Sequence, residues 1–557
     1  MPTTSGRSFT PIPVSRRRGG GAAPTLLLAA ALAVLGGGSA CSTAPQVVAI
    51  APERQAQQVP SNRDVLIRFD HDMDRGSVAS RLTITPATAG NLVWDSPRQV
   101  SFRHQPFLPD TNYRVALAAG YRDAAGNVNS FNHGWTFRTE AAPEITGGFP
   151  GAGAQNVDPA ALLALSFSRP MDLNSLAAAT SISPAIPILV RPDPGDPRRV
   201  LVAPLTLLDP QTLYSVTVTR DARDVDGNQL RSGVVRDFAT GVQQPLRHWV
   251  TFLADQPQST AGIWVVDGNR LPRQLAALDA VAFHWSLDGS RLLAQSRAGT
   301  WLDLEVGGAA TSLPFAADWA VFLAPGKGYL FLSGGRLERY TAAAERVLVD
   351  TGVSAAAVAP NGGRVAYTVA APGGDEIRGY EVDLRSRYRI QGETGAVSAL
   401  AWSPDGTRLA YRLAGSDPAR GQVRVRELSG SGRATTIRSG EVSALAWQAD
   451  SRHLILGATV NTAAGAVARA FRLNIADASG RPLTADDALP TGAGLDVRDP
   501  VPSPDGHQVA FVGSRAATAG RAQVWVLNVD GTGLGPLTSY DAGSFPYSTR
   551  APAWTVS

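Results

Sequence analysis

The chain has 557 residues with a formal net charge of +4 and one cysteine, and its 56 glycines and 39 prolines accompany a charged fraction of only 18%. This turn-rich composition predicts an all-β fold rather than a helical one, and the length allows three to four domains of about 150 residues. The small charge, without a basic patch interleaved with aromatic residues, argues against nucleic acid as a partner.

Residues 1–41 have the order of an export signal. Three parts precede the single cysteine, Cys41: a positive region at residues 16–18, an apolar segment at residues 22–35 and small residues at 36–40. This order resembles a bacterial lipoprotein signal, with Gly38 where that family's pattern has Leu. The resemblance implies that Cys41 is lipidated and that the membrane is a partner of the mature protein.

Two alternatives to lipidation stay open, an ordinary cleaved signal and an uncleaved anchor. For an anchor, the 14 apolar residues of the segment are fewer than the roughly 20 needed to span a bilayer. All three interpretations place the bulk of the chain outside the cytoplasm, and lipidation predicts a lipid-anchored protein of the cell membrane or outer cell envelope.

Residues 45–140 and 141–241 are two copies of one pattern. Short alternating runs separated by turn residues predict a β-sandwich in each copy. Five features recur in order: Phe-x-x-x-Met-Asp ending at Asp74 and Asp172, Thr/Ser-Pro at Pro86 and Pro184, a corner ending at Tyr113 and Tyr214, Asp-x-x-Gly-Asn ending at Asn127 and Asn228, and a closing Phe137 and Phe238.

These features resemble the bacterial Ig-like family of surface-layer (SbsA-type) and other envelope proteins. The resemblance implies a spacer or display role without an enzymatic site. Neither copy contains cysteine, so packing must stabilise each sandwich, and Trp94, Phe102, Trp135 and Phe137 are the predicted core of the first.

Two acidic clusters in this half could be taken for metal sites, one at residues 70–74 and one at residues 224–228. A calcium loop needs more oxygen ligands in a longer pattern that ends in Glu, and this pattern is absent. Asp, Asn and Gly at a strand end usually form turns. We therefore predict no metal site.

Residues 246–557 repeat a hairpin whose best copy runs from Ala399 to Tyr411. Apolar residues up to Trp402 precede the turn Ser403-Pro404-Asp405-Gly406, and alternating residues follow. Related turns recur near residues 287, 325, 361, 449 and 504, a spacing typical of propeller blades with four strands each. The last run, residues 551–557, matches only the first strand of the hairpin. We predict that it completes a blade begun near His248, which gives seven blades, with six or eight as alternatives.

The Trp-Ser-Pro-Asp-Gly motif resembles TolB-like propeller repeats, which also occur in prolyl oligopeptidase-like enzymes. No Gly-x-Ser-x-Gly elbow follows the repeats, and the seven histidines show no zinc spacing. His284, beside Trp285, is predicted to pack in a strand. We predict no catalytic residue, no cofactor-binding residue and no metal ligand, and Cys41 as the one modified site.

The predicted function is therefore non-catalytic binding, with the Ig-like domains as a spacer and the propeller face as a docking platform for a protein, peptide or glycan. We expect a monomer. The variable loops at residues 413–421 and 458–466 are the predicted contact regions. One alternative is a propeller enzyme, a hydrolase or lyase with a site at the channel mouth. Another is a purely structural envelope spacer.

Overall fold

Almost every element of the computed structural model is a β-strand. The structure describes residues 43–255, 262–415, 421–430, 432–440, 442–462, 465–484, 495–515, 521–539 and 547–555. Within these ranges no helix has the length and apolarity to cross a membrane. Cys41 and the predicted export signal lie outside the described residues, so export and lipidation stay predictions.

The first sandwich contains two four-stranded sheets, in the orders β1-β3-β6-β5 and β2-β8-β7-β4. Its elements are β1 (Val47–Ala51), β2 (Ala56–Val59), β3 (Val65–Phe69), α1 (Arg75–Ala79), β4 (Leu82–Thr85), β5 (Gly90–Ser96), β6 (Gln99–His104), β7 (Asn112–Leu117) and β8 (His133–Thr139). Of the predicted core residues, Trp135 and Phe137 are buried. Trp94 and Phe102 are only partly buried, which corrects the prediction. Trp94 lies on the edge strand β5, where its ring stacks on Phe69 and the exposed Arg75 lies over the ring at 5.7 Å.

The second sandwich repeats this arrangement, with sheets β13-β14-β11-β9 and β10-β16-β15-β12. Its elements are β9 (Ile145–Phe149), β10 (Ala154–Val157), β11 (Leu163–Phe167), α2 (Leu173–Ala179), β12 (Thr180–Ser183), β13 (Ile188–Asp193), β14 (Asp196–Pro204), β15 (Leu213–Val218) and β16 (Val234–Thr240). The strands pair antiparallel except β10 with β16, and a single apolar core lies between the sheets.

The recurring motif residues have the same structural duties in both copies. Asp74 and Asp172 are the N-caps of α1 and α2, where their carboxylates accept hydrogen bonds from backbone N–H groups of the first turn. Tyr113 and Tyr214 close a corner, because their hydroxyls accept from the backbone N–H of a residue five positions earlier, at 3.0 and 2.9 Å. These motifs therefore specify the fold.

The third part consists of seven four-stranded sheets among the described residues, each a meander except the first. The first sheet has the order β19-β18-β17-β44 and joins β17 (Val250–Asp255), β18 (Gly262–Val266) and β19 (Arg273–Ala276) to β44 (Ser548–Trp554). The others are β20 (Ala280–Trp285), β21 (Arg291–Ser296), β22 (Thr300–Glu305), β23 (Ala310–Ala316); β24 (Trp319–Phe322), β25 (Tyr329–Ser333), β26 (Arg336–Tyr340), β27 (Arg346–Thr351); β28 (Val353–Val358), β29 (Arg364–Ala371), β30 (Gly374–Glu381), β31 (Ser386–Gly392); β32 (Val397–Trp402), β33 (Arg408–Leu413), β34 (Gln422–Glu427), β35 (Thr435–Ser439); β36 (Ala444–Trp447), β37 (His453–Thr462), β38 (Gly465–Asn474), β39 (Gly480–Pro482); and β40 (Asp496–Pro502), β41 (Gln508–Ser514), β42 (Gln523–Asn528), β43 (Gly535–Pro536).

The seven sheets form a closed ring. An apolar cluster lies between each sheet and the next, and another joins the last sheet to the first. The first sheet itself is completed by pairing of β17 with β44, with Val250 opposite Trp554. Closure leaves no exposed pair of end sheets, which is how a propeller avoids open edges.

The motif tryptophans tie neighbouring sheets together. The indole Nε1 of Trp402 donates to the carbonyl of Ala357 on the preceding sheet at 3.0 Å, and Trp447 makes the same bond to Ala401. In the turn, Asp405 Oδ1 accepts from Ser403 Oγ at 2.5 Å and from Thr407 N at 3.0 Å. The motif therefore serves turn geometry and sheet-to-sheet packing.

Candidate functional site

A cavity of about 570 Å³ opens between the sheet β20–β23 and the sheet β24–β27. It is lined by the β20–β21 turn, the first half of β23, the β24–β25 turn and the β26–β27 turn. All of these turns lie at the same end of their sheets. We call this cavity the turn-side pocket, and its size is that of typical small-ligand pockets.

At β24–β25, beside the turn-side pocket, the hairpin motif is replaced by other residues. The hairpin β24–β25 aligns with the hairpin β32–β33 through one backbone bond, because Leu323 N donates to Gly328 O as Ser403 N donates to Arg408 O. Leu323 therefore occupies the position of Ser403, and Phe322 occupies the position of Trp402. A phenyl ring is smaller than an indole and has no N–H to bond the neighbouring sheet. Phe322 therefore fills less of the space beside its sheet than Trp402 fills beside the sheet β32–β35.

Three partly exposed aromatic rings form one wall of the turn-side pocket. The rings of Tyr329 and Tyr340 are stacked with centroids 6.3 Å apart, and the rings of Phe322 and Tyr329 are 5.5 Å apart. Phe315 supports the two tyrosines from beneath and is buried. The rings are held in place before any ligand arrives, which lowers the entropy cost of binding.

A buried carboxylate organises the polar side of the pocket. Asp303 is 1% exposed, and its Oδ2 accepts from the Tyr329 hydroxyl and from Arg291 Nη2, each at 2.5 Å. Burial, with the hydrogen bond to Asp303, raises the pKa of Tyr329 to about 12. Tyr329 therefore stays protonated at neutral pH and keeps its hydroxyl directed at Asp303.

The channel wall has a different character. The first strands of neighbouring sheets contact each other at β20–β24 and in the series β28, β32, β36, β40 and β44. The strands β20, β24, β28, β32 and β36 carry mainly Ala, Val, Leu and Ser. The charged side chains of the inner strands are Asp496, Arg498 and Asp499 on β40 and Arg550 on β44. Arg498 pairs with Asp496, and Arg550 pairs with Asp255.

His284 packs between aromatic rings rather than lining a polar site. Its ring is stacked on Trp301 at 6.5 Å and meets Trp319 edge-on at 6.1 Å. Burial lowers the pKa of His284 to about 4, so the side chain is neutral at physiological pH. This is the strand packing expected from the sequence.

The sequence did not single out the residues of the turn-side pocket. Arg291, Asp303, Tyr329 and Tyr340 belong to four different strands, and only the fold brings them together. The available signal was the loss of the motif at residues 322–328, together with the aromatic residues clustered between positions 315 and 340. Of the predicted contact loops, residues 458–462 belong to β37, while residues 416–420 and 463–464 lie outside the described residues.

Comparison with known proteins identifies the N-terminal half. Residues 41–139 and 140–240 each match the family model described as bacterial Ig-like domain. No curated protein matches the chain. The two matches cover the two sandwiches.

Similar solved structures include TolB from Acinetobacter baumannii, at 13% identity and a TM-score of 0.36, covering 75% of this chain and 100% of that one. Oligogalacturonate lyase from Vibrio parahaemolyticus is 11% identical with a TM-score of 0.39, covering 53% of this chain and 87% of that one. Likeness of this degree carries no argument about partner or activity. The chain has two bacterial Ig-like domains followed by a β-propeller.

Proposed function

We propose that this protein is an exported, lipid-anchored binding module of the cell envelope. The signal-like residues 1–41 and the two Ig-like domains, which recur in envelope proteins, support export and a spacer role. The propeller supplies the binding surface. The observation that carries the binding role is the turn-side pocket, a preformed cavity with aromatic walls.

The lining of the turn-side pocket favours a peptide over a glycan. Its partly exposed rings offer apolar surface. Among its polar side chains, Arg291 and Tyr329 already donate to Asp303. Ser286 donates to Asp288, while Thr311 and Ser312 on β23 are exposed. A sugar ring would bury many hydroxyls and needs many free partners, whereas a prolyl or aromatic side chain needs few. We therefore propose that the pocket takes a proline or aromatic side chain from an extended segment of a protein partner.

Selection from a displayed peptide library against the full chain tests this proposal. Enriched sequences should carry proline or aromatic residues, and a synthetic peptide of such a sequence should lose about tenfold or more in affinity in Tyr340→Ala. Tyr388→Ala is the matched control, because Tyr388 is a 38% exposed tyrosine on β31, in another sheet.

Two results would contradict the proposed ligand. One is enrichment of peptides whose affinity is equal in Tyr340→Ala and in the wild type. The other is selective retention of oligosaccharides on a glycan array that Tyr340→Ala abolishes, which would identify a glycan site instead.

The membrane anchor has its own test. Cys41→Ala should move the protein from the membrane fraction to the soluble envelope fraction and abolish incorporation of labelled fatty acid. Unchanged membrane retention would reject lipidation at Cys41 and leave the uncleaved anchor.

A further inference from the structure

Three acidic side chains meet where the residue that follows β8 contacts the loop between β15 and β16. Glu140 follows β8 directly, and Asp224 and Asp226 belong to the turn that precedes Asn228. One carboxylate oxygen from each of the three acids lies within 4.8 Å of the others. Glu140 and Asp224 are each 2% exposed.

The equivalent turn of the first sandwich forms with a single carboxylate. There Asp123 Oδ1 accepts from Asn127 N at 2.8 Å, and Asp224 Oδ1 accepts from Asn228 N at 2.8 Å in the second copy. The place of Asp226 is taken by Ala125 in the first copy. Glu140 and Asp226 are thus carboxylates beyond those that form the turn. Glu140 is buried and Asp226 is partly buried, and holding both beside Asp224 is costly without a cation.

A second feature of the cluster is a buried amide, that of Asn228, whose oxygen accepts no hydrogen bond. Asn228 is 3% exposed, and its amide points into the cluster, with Nδ2 at 2.8 Å from Glu140 Oε1 and 2.9 Å from Asp224 Oδ2. Its Oδ1 is buried and has no hydrogen-bond partner. Rotation about the Cβ–Cγ bond exchanges the two ends of the amide and places Oδ1 among the carboxylates.

One positive side chain already faces the cluster. Arg169 bonds Glu140 through Nη2, and its Nη1 lies 3.9 Å from Asp224 Oδ2. A single guanidinium offsets one of three carboxylates. The Arg169 side chain is 23% exposed, so it has a route to solvent if another cation takes its place.

We propose that Glu140, Asp224, Asp226 and Asn228 form a site for a divalent cation of the calcium type, in competition with Arg169. All four ligands are oxygens, which a hard cation prefers. Calcium–oxygen distances of about 2.3–2.6 Å place opposite ligands about 5 Å apart, which agrees with the spacing of the carboxylates. Binding requires the amide of Asn228 to turn and the guanidinium of Arg169 to leave.

Titration of the metal-free full chain with Ca²⁺ or Mg²⁺ alone tests the site, by calorimetry and by thermal unfolding. We expect one Ca²⁺ per chain and a rise in Tm that Mg²⁺ does not reproduce at equal concentration. Asp226→Ala, which restores the residue found in the first sandwich, should weaken Ca²⁺ binding about tenfold or more. Asp221→Asn removes an exposed carboxylate that bonds Thr219 nearby and should leave Ca²⁺ binding unchanged.

Arg169→Gln gives the sharpest result, because a competing cation is removed. Ca²⁺ should bind about tenfold more tightly, and if the variant unfolds without metal, Ca²⁺ should restore its folding. Absence of Ca²⁺-dependent heat and Tm shift in the wild type would overturn the proposal. So would equal Ca²⁺ affinity in the wild type, Asp226→Ala and Arg169→Gln.

Discussion

The sheet β32–β35 and the sheet β24–β27 have the same four-stranded meander but differ in the space beside them. Beside the first, the Trp402 indole fills the gap to the neighbouring sheet, and Arg364 of that sheet lies over the indole at 5.0 Å and donates to Gly406 O. Beside the second, the equivalent Arg291 lies over Phe322 at 5.9 Å and pairs with Asp303. Phe322 thus lacks the indole-to-carbonyl bond that Trp402 makes to its neighbouring sheet, and it lines the turn-side pocket. Loss of the tryptophan alone does not open a pocket, since Val358 stands at the same position of the sheet β28–β31 and packs against an apolar cluster.

Trp402→Ala should have the largest effect on this comparison. Removing a buried indole that bonds the preceding sheet costs about 3–5 kcal/mol of unfolding free energy. Phe322→Ala should cost clearly less, about 1–2 kcal/mol, because this ring is only partly buried and already borders a cavity. Denaturant unfolding of both variants measures the difference. Equal losses would show that the two positions are equally packed.

Tyr411→Phe tests a second contact that the sheet β32–β35 makes and the sheet β24–β27 does not, because Phe331 occupies the position of Tyr411 there. Glu393 accepts hydrogen bonds from the Tyr411 hydroxyl and from Arg424, and all three groups lie between adjacent sheets. Without the hydroxyl, a buried carboxylate oxygen is left unpaired, at a cost of about 2–3 kcal/mol. Unfolding in denaturant gives the value. In β41 the position of Tyr411 is occupied by Phe511. Phe511→Leu therefore serves as a control that changes ring packing without removing a hydroxyl.

The sequence predicts the structures that depend on neighbouring residues and not those that depend on the packing of two sheets. The Trp-Ser-Pro-Asp-Gly turn and the alternating strands are local signals, so the all-β class, the Ig-like repeats and the propeller could be predicted from residues close in sequence. The turn-side pocket could not be, because Arg291, Asp303 and Tyr340 come together only through the packing of two sheets. Partial exposure of Trp94 was missed for a similar reason, since its edge position depends on strand order.

Titration of His284 should lower the unfolding free energy of the propeller at acidic pH. Its folded-state pKa, about 4, lies below the ordinary value of 6.5, so below pH 6.5 the unfolded chain takes up a proton that the folded chain refuses. Stability is therefore full above about pH 6.5 and falls as the pH falls towards 4, by about 2 kcal/mol at pH 5. Unfolding free energies of His284→Phe across this range should lack that component.

His248→Asn is the control for this prediction, because His248 is a half-exposed histidine of the same domain whose positive φ asparagine tolerates. It should keep the decline of the wild type. If His284→Phe and the wild type declined equally between pH 6.5 and pH 5, titration of His284 would not be the cause.

Restoring the motif at β24–β25 should have the smallest effect on stability and the clearest effect on binding. Leu323→Ser with Pro325→Asp supplies the hydroxyl and carboxylate that Ser403 and Asp405 contribute to their turn. Because Lys327 N bonds Ala324 O here, the turn must also shift by one residue, and we expect a gain of only about 0.5 kcal/mol in unfolding free energy. Adding Phe322→Trp introduces an indole large enough to occupy the open space, with its N–H directed at the sheet β20–β23, as Trp402 is directed at its own neighbour. The triple variant should melt slightly higher than the wild type and lose affinity for the peptide that Tyr340→Ala also rejects. A triple variant that gained stability yet bound the peptide as before would show that the missing motif and the binding site are unrelated, since filling the cavity must displace any side chain that enters it.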